Sequence, residues 1–258
     1  MTEIARPVLH AVQELAVGSL FCLALLPSDL IRRGFFQTCV LILAIAVGLG
    51  IWVSQTPALI SLFLSLLLYG GSLWIVPKRW STLALRLSLA VGSMGVFLPS
   101  LTALDRASLS PETAAQVAVT LASTLLLGSA LIGMLLGHYY LRDPELPVAL
   151  IRRVANLFLL ATVLQGLLLV ANVGVLYLFG GAEAAARIGV LSTSYGLVLL
   201  GRLLIGILGS FILACVIWDT LRIPNVQAAT GFFYIAILTA MIGEFLGRYL
   251  WGVTAIPL

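Results

Sequence analysis

Charge is what this sequence has least of. Asp, Glu, Lys and Arg make up only 9% of its 258 residues, where a soluble domain carries about a quarter. So few polar side chains cannot cover a water-soluble globule, and the solvent they imply is lipid. Histidine is scarcer still, with two residues. His10 and His138 fall on opposite sides of the membrane in the span assignment below, whereas a bis-histidine haem needs two ligands at one depth on facing helices. That excludes haem. Cysteine contributes Cys22, Cys39 and Cys215, far apart and each within an apolar run. None has a partner at metal-ligand spacing, so zinc and iron–sulfur centres are excluded in this chain and the thiols read as buried and inert. H-E-x-x-H, G-x-S-x-G and paired carboxylates on one helix are all missing, which argues against a membrane-embedded hydrolase. No polar stretch is long enough for a soluble domain, so residues 1–258 read as one integral membrane domain. The net charge of +4 reports topology in such a chain, not nucleic-acid binding.

Hydrophobic residues make up 61% of the sequence. At about 20 apolar residues per crossing, they divide into eight spans, near 8–26, 35–53, 58–76, 83–101, 111–141, 154–179, 194–218 and 227–250. The expected fold is therefore all-α, a polytopic transmembrane helix bundle. Pro99 predicts a kink in the fourth span. Pro111 and Glu112 suit a helix start. Gly180-Gly181 predicts a short, partly helical loop around 183–187. The first apolar run lacks a basic start and reads as a retained span, not a cleaved signal. Glycines such as Gly92, Gly95, Gly128, Gly133, Gly137, Gly201, Gly206 and Gly209 predict close helix packing.

Basic residues orient the bundle. Arg32, Arg33, Lys78, Arg79, Arg142, Arg152, Arg153 and Arg222 fall in loops on one side, with Arg86 at the matching end of its span. Arg6, Arg106, Arg187 and Arg248 fall on the other. The positive-inside rule makes the first side cytoplasmic and places both termini on the outer, periplasmic side. The location this implies is the inner (cytoplasmic) membrane, multi-pass.

Topology then assigns a depth to every intramembrane polar residue, at about 1.5 Å per helical residue. His10, Gln13, Glu14, Asn172, Arg202, Glu244 and Arg248 all fall in its outer part. The first three, spaced i, i+3, i+4, share a stripe of the first helix. Gln165 falls near mid-depth. His138 lies at the inner interface with Tyr139 and Tyr140, as in an aromatic belt. An ionisable residue inside a span costs roughly 2.5–3.5 kcal/mol, so this outer set is the candidate site. It suits the polar head of a quinol, which needs a hydrogen-bond partner at each oxygen and a proton acceptor such as a carboxylate or neutral imidazole. Bundle packing is the competing explanation, with Arg202 paired to Glu14 or Glu244 and Glu244 paired to Arg248 at i,i+4.

The ending Gly243-Glu244-Phe245-Leu246-Gly247-Arg248-Tyr249-Leu250-Trp251 resembles the GE-x-x-GR-x-L-aromatic ending of the membrane anchor subunits of DMSO reductase. Gln13-Glu14-Leu15-Ala16-Val17-Gly18 resembles their first span. These anchors group with the NrfD-like, polysulfide-reductase-type quinone-interacting subunits. The match covers about ten residues at the end and six at the start. It implies an anchor that exchanges electrons between quinone (menaquinone or ubiquinone) and an iron–sulfur partner subunit, beside a catalytic subunit of the same respiratory complex. Only Glu244 and Arg248 are matched by the motif itself. The alternatives are a transporter or proton-coupled permease, for which Gln165 and Pro99 are the hints, and a structural subunit without a site.

Overall fold

The helices of the computed structural model follow from two local rules: apolar runs of membrane length, and breaks where proline, glycine or a capping side chain permits one. Residues 5–102 and 111–258 are described. Ten α-helices follow in order: α1 (Ala5–Leu25), α2 (Arg33–Val53), α3 (Pro57–Ile75), α4 (Lys78–Thr102), α5 (Pro111–Tyr140), α6 (Ala149–Phe179), α7 (Gly181–Thr193), α8 (Gly196–Gly201), α9 (Ser210–Arg222) and α10 (Val226–Thr254). A π-helical segment, Arg202–Gly209, joins α8 to α9. Thr56 caps α3 by accepting from the Leu59 amide at 3.4 Å, with Pro57 in the first turn, and Asn225 caps α10 by accepting from the Ala228 amide at 3.1 Å. Ala255 closes α10 in the left-handed region at φ 55°.

Among the described residues, eight helices are long and apolar enough to cross a membrane, with α8, the π segment and α9 forming one of them. This is the architecture of a multi-pass membrane protein. The span ends lie within a few residues of those expected, with the largest extensions at the starts of α4 and α6. Three expectations change. The loop around 183–187 is part of the regular helix α7, which Gly181 opens at φ 65°. The seventh span is interrupted by the π segment. Cys215 is exposed on α9, while Cys22 and Cys39 are buried; position 215 faces outward from the bundle, which burial in an apolar run alone does not reveal. The loop expected after α4 falls at 103–110, outside the described residues.

α5 is the most enclosed helix, with α1, α6 and α10 packed around it. α2, α3 and α4 form a layer against α1, and α9 fills the angle between α6 and α10. Outward positions such as Leu41, Ile45, Leu64, Leu68, Leu160 and Leu238 are exposed aliphatics, as a lipid-facing surface requires. Trp52, Tyr177 and Phe179 mark one end, and Trp74 and Trp80 the other, in the manner of interfacial belts.

Lipid supplies no hydrophobic force between helices, so close packing and hydrogen bonds hold them. A Cβ built on Gly18 would lie 1.8 Å from the Thr124 carbonyl oxygen, and one on Gly128 would lie 2.0 Å from the Gly18 carbonyl carbon. α1 and α5 thus meet backbone to backbone at a point where only hydrogen fits. Ser88 on α4 donates to the Ser65 carbonyl on α3 at 2.8 Å, and Ser210 and Thr239 share a hydrogen bond at 3.3 Å between α9 and α10. Gly128→Ala is expected to destabilise the solubilised protein by about 1–3 kcal/mol through overpacking. Gly174→Ala, where an added Cβ meets nothing within 4 Å, is expected to leave it unchanged. Thermal unfolding in detergent compares the two.

Candidate functional site

The start of α1 and the end of α10 lie side by side, since Arg6, His10 and Val253 line one pocket. Just inside that end, α10 presents two charges one turn apart, Glu244 and Arg248, and sends them to different neighbours. Glu14, Arg202 and Glu244 sit about 9–15 Å inside the ends of their helices.

The first network centres on Arg202, which is fully buried. Its Nη1 donates to Glu244 Oε1 at 3.0 Å, and its Nη2 donates to Gln165 Oε1 and, at 3.4 Å, to the Leu258 carbonyl. Gln165 Nε2 closes the triangle by donating to Glu244 Oε1 at 2.6 Å, and also reaches Ser123 Oγ on α5 at 2.9 Å. Four segments, α5, α6, the π segment and α10, therefore converge on one guanidinium. Arg202 opens the π segment. The wider π turn is a feature that recurs at functional sites.

Two glycines make room for this network. A Cβ on Gly243 would lie 2.3 Å from Gly206 Cα, so α10 and the π segment touch backbone to backbone. A Cβ on Gly247 would lie 3.0 Å from both Arg202 Nε and the Leu258 carbonyl oxygen. The stretch Gly243-Glu244-x-x-Gly247-Arg248 thus has a steric logic: the glycines admit the arginine whose charge Glu244 balances.

The second network joins α10 to α1 and α5. Arg248 Nη2 donates to Glu14 Oε1 and, at 3.2 Å, to Thr120 Oγ1, and its guanidinium lies 5.6 Å from the centre of the Trp251 ring. Glu14 Oε2 and the Nε atoms of Arg248 and Arg202 are buried and make no hydrogen bond among the described residues.

Over this second network lies a pocket of about 590 Å³, walled by Arg6, Pro7, His10, Arg248, Tyr249 and Trp251 and by residues of the α10 terminus. Its polar wall is an imidazole and a guanidinium. Glu14 sits behind Arg248, one turn from His10 on the same helix.

Of the seven residues expected at the site, His10 and Arg248 line the pocket, Glu14 backs it, and Arg202 and Glu244 form the adjoining network. Gln13 is buried and takes part in neither network among the described residues. Asn172 acts indirectly: its Nδ2 donates to the Pro257 carbonyl at 2.9 Å, pinning the tail whose next residue meets Arg202. The i,i+4 pairing of Glu244 with Arg248 is not made, because each charge has a cross-helix partner. Gln165 belongs at the centre of the Arg202 network, although mid-depth alone set it apart. Thr120 and Ser123 were not legible as site residues. Their spacing of three on α5 was the available signal, but hydroxyls in spans commonly return to their own helix, as Thr124 Oγ1 does to the Thr120 carbonyl at 2.7 Å.

Comparison with family models, with curated proteins and with solved structures finds no match to this chain.

Removing one member of a buried ion pair leaves the other charge unpaired, at a cost of about 3–5 kcal/mol, whereas replacing both by apolar groups is often neutral. Glu244→Ala is therefore expected to lower the unfolding midpoint sharply, and Arg202→Met with Glu244→Leu to recover most of the loss. Equal destabilisation in the single and double variants would show that the pair does not act as a unit.

Proposed function

We propose that this chain is the quinone-interacting membrane anchor of a respiratory redox complex, passing electrons between the quinone pool and an iron–sulfur partner subunit that also contacts a catalytic subunit. The observation that carries this reading is the pocket in which His10 and Arg248 share a wall, with Glu14 buried directly behind. The donor set fits a quinone head: Arg248 can donate to a ring oxygen, His10 can accept a proton from one, and aromatic Tyr249 and Trp251 flank the ring's space. The unpartnered Glu14 Oε2 and Arg248 Nε mark hydrogen-bonding capacity left over beside the pocket.

A quinol, when bound, supplies two electrons and two protons, and the electrons leave to the iron–sulfur partner. The chain's own residues hold and move the protons. His10 takes one at its free ring nitrogen. Glu14, which accepts from Arg248 Nη2 and lies one turn beyond His10 on α1, serves as the second proton acceptor. Arg202, Glu244 and Gln165 keep α6, the π segment and α10 in register beneath the pocket. The ending GE-x-x-GR-x-L-aromatic, with its resemblance to DMSO reductase anchors and NrfD-like subunits, supports the same reading. The distribution of arginines supports an orientation with the pocket on the periplasmic side of the inner membrane. A reporter fused to the N-terminus is then expected to be active only in its periplasmic form.

The binding test uses a quinone analogue and the purified protein. Binding is expected in the wild type and is expected to weaken roughly tenfold in His10→Leu, with the unfolding midpoint retained, since His10 is only half-buried at the pocket wall. Equal binding in both proteins, or none in the wild type, overturns the assignment. Copurification of an iron–sulfur subunit in mild detergent tests the partner.

One observation favours a second reading, a proton-coupled permease. The seventh span is broken at Arg202, beside the buried Gln165, and transporters place their sites at broken helices. Proton-linked uptake by the protein alone in vesicles, without quinone-analogue binding, would select it.

A further inference from the structure

At the opposite end of the bundle, the first turns of α2 and the last turn of α5 enclose a second cavity, of about 530 Å³. Its floor is apolar, from Phe35, Cys39 and Leu135, and the Tyr139 ring packs on Phe35 with centroids 5.2 Å apart. Its rim is cationic: Arg32, His138 and Arg142. The acid beside it, Asp143, is 3.7 Å from Arg32 Nε. Arg142 and His138 make no side-chain hydrogen bond or ion pair among the described residues. One carboxylate against two guanidinium groups leaves the rim net positive. Thr38, His138 and Leu141 are exposed, so the cavity opens sideways between α2 and α5, which touch only sparingly.

Three other basic residues at this end are engaged. Arg33 Nη1 donates to the Leu73 carbonyl at 3.3 Å, Arg152 donates to the Leu221 carbonyl at 3.1 and 2.7 Å, and Lys78 pairs with Asp29. Those cations cap helix ends or meet an acid. Arg142 does neither, and it stands over a cavity with an apolar floor.

We propose that this cavity binds the phosphate of an anionic phospholipid, its acyl chain lying along the α2–α5 groove. Charge complementarity selects an anion, and basic pockets between membrane helices commonly hold acidic headgroups. The apolar floor and lateral opening select a lipid over a free anion, which would gain nothing from either. A zwitterionic headgroup lacks the net charge that the rim would neutralise.

The test follows the unfolding midpoint of the purified protein in detergent micelles doped with phosphatidylglycerol. The wild type is expected to be stabilised at low lipid mole fraction. In Arg32→Gln with Arg142→Gln, the half-effect mole fraction is expected to rise roughly thirtyfold, from about 1 kcal/mol per basic residue near an anionic headgroup. Thr38→Trp, which fills the cavity from its exposed rim, is expected to do the same without removing charge. Arg153→Gln, exposed at the same end but outside the cavity, is expected to behave as wild type. Equal stabilisation by phosphatidylcholine or by inorganic phosphate, or an unchanged response in both cavity variants, overturns the proposal.

Discussion

A charge placed in lipid has to be met by another, and this one constraint organises the bundle. α10 carries Glu244 and Arg248 a single turn apart, yet neither uses the other. Glu244 reaches the π segment through Arg202, and Arg248 reaches α1 through Glu14. α10 therefore ties α1 to the π segment through two ion pairs. α5, at the centre, serves both sides with Ser123 and Thr120. Because apolar contact between helices is no better than contact with lipid tails, such cross-bonds decide which helices become neighbours.

The ion pairs depend on small residues as much as on charged ones. Gly206 and Gly243 let two helix backbones meet, and Gly247 leaves the space that the Arg202 guanidinium needs. Asn172 and the chain segment it holds complete the enclosure by bringing the Leu258 carbonyl to Arg202. A fully buried arginine is costly to desolvate, and here its Nη atoms meet a carboxylate, an amide oxygen and a main-chain carbonyl.

The two ends of the bundle use their arginines differently. At the end shared by α1 and α10, Arg202 and Arg248 are buried in ion pairs, and a pocket adjoins them. At the other, Arg33 and Arg152 bond the terminal carbonyls of α3 and α9, where cations favour the helix dipole, and Arg142 stays free at a cavity rim.

The sequence by itself determined the helix count and most helix ends. Those properties are local: hydropathy sets length, and Pro57, Pro111 and Asn225 set starts. Only the tertiary structure decided which charge meets which. Helices this apolar on every side carry little signal of which face points inward, so Glu244 could equally have turned to Arg248, Glu14 or Arg202. The same ambiguity hid the π segment, the central role of Gln165, and the contributions of Thr120, Ser123 and the Leu258 carbonyl. The eighth span, which offers Glu244 and Arg248 one turn apart, holds one half of each of two cross-helix pairs.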